Sequence, residues 1–282
     1  MPGDNLDSYQ DWIGRSEEMV DVITASPAQR MAATLNRADV FTEGTPLPPA
    51  WHWLYFLPVV RMDHTGADGH AQRGGFLPPV ALPRRMWAGG RLSFHRPLRV
   101  GERALKKSTV ADVTTKQGKS GRLAFVLVRH EIIGDDGLAL LEEQDIVYRE
   151  LSSAQAGQPT PQAAPAEAQF SREIAPDPVL LFRYSALTFN SHRIHYDRTY
   201  CTDVEGYPGL VVHGPLTATL LLDVLHANAP DRTVTAFSFR AISALYDTQP
   251  FRVEGRIDGS EAKLWALNAA GELAMQGSAT IS

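Results

Sequence analysis

The sequence predicts an α+β fold in which an antiparallel sheet wraps around a buried helix, and it predicts that this plan occurs twice. Three observations carry the prediction. Both halves of the chain contain successive strand-like runs of period two, divided by turn clusters rich in Gly, Asp and Lys. The second half also holds LTATLLLDVLHANA, a helix that is apolar around most of its circumference and therefore needs cover on nearly every side. Between the halves, LSSAQAGQPTPQAAPAEAQ (residues 151–169) replaces hydrophobic periodicity with Ala, Gln, Pro, Ser and Gly, the composition of an exposed linker. A curved sheet face is the only large surface available to cover such a helix.

The expected division is a first module over residues 1–150, the linker over 151–169 and a second module over 170–282. In the first, Ser26-Pro27-Ala28-Gln29 reads as a capping box with proline at the first helical position, leading into MAATLNRADVF as a short helix. The aromatic run LPPAWHWLYFLP (residues 47–58) reads as core packing, with a pocket wall as the alternative. From residue 91 the period becomes two, with Leu92, Phe94 and Arg96 on one face and Arg91, Ser93 and His95 on the other. RALKKSTVADVTT, RLAFVLVRHEII and LALLEEQDIVYRE follow as strands.

In the second module, Asp177-Pro178 caps the helix VLLFRYSALT, and the polar stretch FNSHRIHYD then breaks the helical pattern as a loop. Gly214-Pro215 opens the apolar helix. Four strands are expected after Pro230, in TVTAFSFRAISALY, FRVEGRI, AKLWALN and ELAMQGSATIS. In the last of them Leu273, Met275, Ala279 and Ile281 alternate with Ala274, Gln276, Ser278 and Thr280.

Composition excludes several classes of function. The 282 residues carry a formal net charge of only −5, and the basic residues are scattered, so neither a nucleic-acid nor an anionic-membrane footprint is present. A single cysteine, Cys201, rules out an internal disulfide. The opening MPGDNLDSYQDW is acidic where a secretory leader is basic, and no apolar run approaches the ~18 residues of a membrane span. A soluble cytoplasmic protein is the expectation.

The chemistry concentrates in Phe189-Asn190-Ser191-His192-Arg193-Ile194-His195-Tyr196-Asp197 and, shortly after, in Gly206-Tyr207-Pro208-Gly209-Leu210-Val211-Val212-His213-Gly214-Pro215. Three histidines, an amide and a carboxylate gather next to the start of the buried helix, where they can line one cleft. His192 and His195 are spaced as a metal pair, but no third ligand stands at a telling distance, so a metal-free site is expected.

These two stretches resemble the signature of MaoC-like enoyl-CoA hydratases, most of all their hydroxyacyl-thioester dehydratase branch, and the resemblance spans most of the second half. MWAGGRLSFHRPLRVGE (residues 86–102) resembles the amino-terminal module of the same family. The resemblance implies a double hot-dog fold, with the first module helping to form the acyl pocket and the second supplying the catalytic groups. It also implies a catalytic water held by Asn190 and His195, with the family's VHG motif at Val212-His213-Gly214. Many members carry Asp where this chain has Asn190. The branch includes hydratases of branched dicarboxylyl esters such as mesaconyl-CoA and itaconyl-CoA, as well as dehydratases of fatty acyl thioesters. GYPGLVVHGP is most similar to the dicarboxylyl group.

Hydration of an enoyl thioester needs a base for water, an acid for the α-carbon and donors for an enolate-like oxygen. An imidazole, with an ordinary pKa of about 6.5, suits the first two tasks, whereas an amide can only position the water. His195 is therefore expected to be the proton shuttle and Asn190 the positioning group. Gly214 would offer its N–H at the helix start, and one such donor contributes roughly 3 to 4 kcal/mol to transition-state stabilisation.

Other readings stay open. His213 fits a structural hydrogen bonder at the helix entry better than a catalyst. Tyr196 and Asp197 either orient His195 or, for Asp197, cap the next turn. Coenzyme A phosphates call for basic residues at the pocket mouth, for which Arg91, Arg193, Arg84 and Arg85 are candidates. Arg193 either meets a substrate carboxylate or braces the loop. The expected partner is an acyl-CoA substrate, with no cofactor beyond the coenzyme A that the substrate carries, and a homodimer is left open. A hot-dog thioesterase is the rival enzyme class, and an acyl-CoA binding protein without turnover the rival outside catalysis.

Overall fold

The computed structural model describes residues 6–118, 121–150 and 161–282. Ten strands form one antiparallel sheet: β1 (Ser16–Val22), β2 (Arg84–Phe94), β3 (Arg103–Gly118), β4 (Gly121–Gly134), β5 (Gly137–Arg149), β6 (Phe170–Ile174), β7 (Val234–Ala241), β8 (Phe251–Asp258), β9 (Glu261–Leu267) and β10 (Leu273–Ile281). Their order across the sheet is β1-β3-β4-β5-β2-β7-β10-β9-β8-β6. Three α-helices complete the fold: α1 (Ala25–Thr34), α2 (Pro178–Leu187) and α3 (Gly214–Asn228).

The α+β expectation of sheet around helix is met most fully by α3. Every residue from Leu216 to Leu225 on it is buried, and the helix packs on β6, β8, β9 and β10. At roughly 1.5–3 kcal/mol for each fully buried large apolar side chain, this one helix anchors the second half of the core. Along β10 Leu273, Met275, Ala279 and Ile281 are buried and Gln276 and Ser278 face solvent as expected, but Ala274, expected on the outer face, is buried too, at the register shift between Leu273 and Met275. Asp177 caps α2 through its Oδ1, which accepts the Leu180 N–H at 2.8 Å, with Pro178 opening the helix.

The halves share one sheet, joined where β2 pairs with β7 from Gly89↔Arg240 to Ser93↔Ala236. Gly89 and Gly90 make this close splice feasible: a Cβ on Gly89 would lie 2.6 Å from the Phe239 carbonyl oxygen, and one on Gly90 3.1 Å from the Phe239 ring. One main core accordingly draws residues from both halves, Met31, Trp51 and Leu92 as well as Leu181, Leu216 and Phe237.

Several local expectations are corrected. β2 begins at Arg84, well before residue 91, and ends at Phe94, so His95 and Arg96 lie beyond it. The capping box at Ser26 does not form. α1 starts at Ala25 after Thr24 without a side-chain cap, because the Gln29 amide is drawn to the segment alongside, donating to the Asp39 carbonyl at 2.9 Å and accepting the Phe41 N–H at 3.1 Å. The aromatic run 47–58 is core, as expected, with a 3-10 turn at Trp51–Leu54. Of the linker, residues 151–160 lie outside the described residues, and 161–169 run along the sheet, the Leu273 N–H donating to the Gln162 carbonyl. No helix among the described residues is long and apolar enough to cross a membrane.

Candidate active site

Asn190 is placed by the way α2 ends. Its N–H donates to the Ser185 carbonyl at 2.8 Å and the Phe189 N–H to that of Ala186 at 3.4 Å, with Phe189 in the left-handed region at φ +49°. This is a Schellman turn with phenylalanine where glycine is usual, so the chain accepts local strain in order to swing Asn190 out of the helix direction. The Asn190 Oδ1 then accepts the His192 N–H at 3.0 Å. That bond fixes the amide and leaves its NH2 group as the end it can offer to a water.

A single 3-10 turn, Arg193–His195, presents the buried His195. Its Nδ1 lies 2.7 Å from the Val211 carbonyl oxygen. A carbonyl only accepts, so Nδ1 carries the proton and Nε2 keeps its lone pair, the form a base requires. Burial pushes the His195 pKa down, partly opposed by the Val211 hydrogen bond and aided by the charge of His70, to about 4. The imidazole is thus neutral near pH 7 without needing a carboxylate partner.

His213 stacks on His195, ring centroids 3.7 Å apart and 18° from parallel. Its Nε2 lies 2.8 Å from Ser185 Oγ, and burial, with the charges of His195 and His192, holds it well below the ordinary histidine value. His213 is also the residue that precedes α3. These contacts suit the helix-entry brace expected of it. The next residue, Gly214, is half-buried, and a Cβ there would meet nothing closer than the Trp87 carbonyl oxygen at 3.9 Å. Among the described residues no acceptor pairs with its N–H, which leaves that donor free at the positive end of the helix.

The other predicted residues stand in different relations. Arg193 braces its loop: it binds Asp197 Oδ2 through Nε (3.0 Å) and Nη2 (2.7 Å), donates to the Ala67 carbonyl and lies 4.1 Å over the Tyr200 ring. Asp197 caps the following turn by accepting the Tyr200 N–H at 3.0 Å, and the exposed Tyr196 donates to the Ser191 carbonyl. Arg91 does not join the group. Its guanidinium is taken up by Asp145 (2.8 and 2.9 Å) and Glu143 (2.8 Å) across the β2–β5 pair. Arg84 approaches Glu205 and the Tyr207 ring.

Sequence reasoning missed a contribution from the first half. The loop 61–73 approaches so closely that a Cβ on Gly69 would lie 1.9 Å from the Ser191 carbonyl oxygen. Ser191 Oγ donates to the Gly69 carbonyl, and the Arg193 N–H to that of Asp68 at 2.9 Å. This brings His70 onto His192, ring centroids 3.9 Å apart, and His192 meets His195 edge-on at 5.4 Å. Four imidazoles thus run in a row from the loop to the start of α3. The only available signal was the DGH triplet at Asp68-Gly69-His70, whose spacing says nothing about its partner.

The His192–His195 pair gains no third ligand among the described residues; the loop instead sets two of its own residues beside His192. Asp68, His70 and His192 each offer one ligand atom within 4.8 Å of the others. The geometry fits a metal poorly. Two imidazoles at about 2.0–2.1 Å from one ion splay around it, whereas these two rings lie against each other, centroids 3.9 Å apart and 38° from parallel, and Asp68 Oδ2 accepts from His70 Nδ1 at 3.0 Å.

A cavity of about 630 Å³ lies elsewhere. Leu222, Leu225 and His226 line it with Trp51 and Leu98, and none of Asn190, His195 or Gly214 does. Leu225 is eleven residues along α3 from Gly214, about 17 Å at 1.5 Å per residue. The titratable groups therefore define the candidate site, and the cavity does not.

The chain is similar to known proteins over most of its length. The family model for hydroxyacyl-thioester dehydratase type 2 matches residues 50–247. The chain is 48% identical over 272 residues to the mesaconyl-C(4)-CoA hydratase of Chloroflexus aurantiacus, covering 96% of each. A MaoC-like dehydratase of Phytophthora capsici superposes with a TM-score of 0.70 at 13% identity, over 99% of both chains. A Mycobacterium tuberculosis protein described as having a double hot-dog fold gives 0.58 at 14% identity, over 98% of both. At those identities the structures speak for the fold alone, which is the double hot-dog that the sequence resemblance implied.

Proposed function

The chain belongs to the hydroxyacyl-thioester dehydratase type 2 family and is a hydratase/dehydratase of acyl thioesters, and from that premise we propose that its substrate is a branched unsaturated dicarboxylyl-CoA of the mesaconyl type. The observation that supports the chemistry is the His195 imidazole, buried, neutral and oriented by Val211 so that Nε2 is a free base. The choice of acyl group rests on the 48% identity to a mesaconyl-C(4)-CoA hydratase.

In the proposed reaction the Asn190 amide and His195 Nε2 hold one water. His195 removes a proton as the oxygen attacks the β-carbon, and the electron pair of the double bond moves towards the thioester oxygen. The Gly214 N–H, at the dipole-positive end of α3, meets the charge that develops there. The imidazolium then returns its proton to the α-carbon, so that one molecule of water is added and no other reactant is consumed. The reverse sequence is dehydration. His213 keeps the His195 ring in place by stacking, and the first module closes the pocket with the loop 61–73.

The test is hydration of mesaconyl-CoA, itaconyl-CoA and crotonyl-CoA by the purified protein, followed at the thioester-conjugated double bond, with a thiol reagent recording free coenzyme A. Rapid loss of the double bond of the dicarboxylyl esters without thiol release is the expected result. Fast turnover of crotonyl-CoA with none of the dicarboxylyl esters would overturn the substrate assignment.

A further inference from the structure

A second substrate carboxylate needs a cation, and the residue expected to supply one is engaged: Arg193 holds Asp197, the Ala67 carbonyl and the Tyr200 ring. Other arginines around the site are similarly held. Arg84 is drawn to Glu205, and Arg73 to the carbonyls of Val80, Leu82 and Pro83. Arg85 differs, because among the described residues no carboxylate pairs with it.

The surroundings of Arg85 follow from the strand and the loop. On β2 it stands opposite Tyr148 of β5, just past the Leu82 and Pro83 carbonyls to which Arg73 fastens the loop 61–73. The same loop carries His70, whose ring packs against His192 at a tilt of 38°, and the His192 ring in turn meets His195 at 5.4 Å. The charge of Arg85 falls on this pair. Burial first, and Arg85 among the lesser causes, lower the pKa of both His70 and His192, the latter to about 2. Both rings are therefore neutral near pH 7; His70 spends its one N–H on Asp68, so His192 is the ring with an N–H left to donate, and neither ring brings a negative charge to the guanidinium. Asp68, on the same loop as His70, turns its carboxylate to the Nδ1 and backbone N–H of His70.

A guanidinium without a counter-ion, beside the half-buried imidazole of His192 and one ring away from the proposed base, is the chemistry of a carboxylate receptor. We infer that Arg85, assisted by the N–H of His192, receives the free carboxylate of the dicarboxylyl thioester and so selects the substrate class. This rests on the dicarboxylyl reading above. The phosphates of coenzyme A share the chemistry of that carboxylate, so the experiment has to separate the two sources.

The measurement is kcat/KM of the wild type and Arg85→Gln on three thioesters: mesaconyl-CoA, crotonyl-CoA, which lacks the second carboxylate, and crotonyl-pantetheine, which also lacks the phosphates. A charge-assisted hydrogen bond corresponds to about 10- to 100-fold. The mesaconyl-to-crotonyl ratio of kcat/KM should fall by that factor in Arg85→Gln, mainly through KM, and Arg85→Lys should recover part of it. Turnover of crotonyl-pantetheine by the same variant establishes that it is folded. An unchanged ratio overturns the inference. If in addition both CoA esters lose equally while crotonyl-pantetheine does not, Arg85 is a phosphate contact. Failure of the dicarboxylyl reading has a different signature, since the wild type itself would then turn over crotonyl-CoA and not mesaconyl-CoA.

Discussion

The imidazoles of His195 and His213 lie face to face at 3.7 Å, and both are held neutral by burial. Two charged rings could not share that space, so the stack accommodates at most the one extra proton that His195 carries during the proposed turnover. His195 acts as a base when unprotonated, and its pKa is lowered from about 6.5 to about 4. Activity should therefore be flat through neutrality and fall as pH drops through about 4. A kcat/KM profile with its acid limb near 6.5 would show that the base is not this buried imidazole. The stability term has the same sign. It is complete above the unfolded-state value of about 6.5 and is lost as pH falls towards 4, by up to about 1.4 kcal/mol per pH unit, which melting at pH 5 and 7 will record.

Truncation at the two residues proposed to hold the water separates their roles. His195→Ala should reduce kcat by about 10²- to 10⁴-fold, the usual contribution of a general acid–base group, with the circular dichroism spectrum preserved. Asn190→Ala should also be severely impaired. Asn190→Asp should keep a substantial share of the rate, because the aspartate Oδ can still accept the His192 N–H that the Asn190 Oδ1 now accepts. Unchanged turnover in His195→Ala would refute the shuttle role outright.

Gly214 permits a test that folding does not confound. A methyl group there meets open space in the protein, and alanine favours a helix over glycine by about 0.8–1.0 kcal/mol. Gly214→Ala should thus melt at the same temperature or higher, while kcat/KM falls by about 10²-fold as the thioester oxygen is pushed from the N–H. Full activity would mean that no acyl oxygen approaches this residue.

What was legible in the sequence was whatever local chemistry determines. The Asp177 cap, the all-round burial of α3 and most of the alternation along β10 are each settled by neighbours in the chain. The signature picked out Asn190, His195 and the VHG entry to the helix as candidates because all of them lie within one stretch of the chain. Long-range features were not legible. β1, read from SEEMVDV, is a mostly exposed edge strand whose charged residues hide its period, and such charges are what protects an edge. The capping box at Ser26 had the right residues, yet a tertiary bond claimed Gln29. Likewise Arg91 looked free until the β2–β5 register set Glu143 and Asp145 beside it.

A buried network in the first half leads to a prediction about stability. Glu142 is almost wholly excluded from solvent and accepts from His52 Nε2, Trp53 Nε1 and Gln144 Nε2, each at 2.9 Å. Burial alone would raise its pKa, but the charge and hydrogen bond of His52, with help from His130 and Gln144, outweigh that and hold it well below the usual carboxylate range. The network matters to the site because Trp53 packs edge-on against Trp87 and Phe239, centroids 5.1 and 6.1 Å away, at the β2–β7 splice. Glu142→Ala would leave His52 and the Trp53 N–H buried without an acceptor, and breaking a buried pair in this way costs about 3–5 kcal/mol. Glu142→Gln, which keeps an acceptor, should lose less. The sign with pH follows from the depressed pKa: the stabilisation is whole above the unfolded-state value of about 4.3 and disappears as pH falls below it. Urea unfolding of the two variants at pH 7, and of the wild type between pH 3 and 6, measures both effects. A Glu142→Ala protein as stable as the wild type would show that the splice holds without this carboxylate.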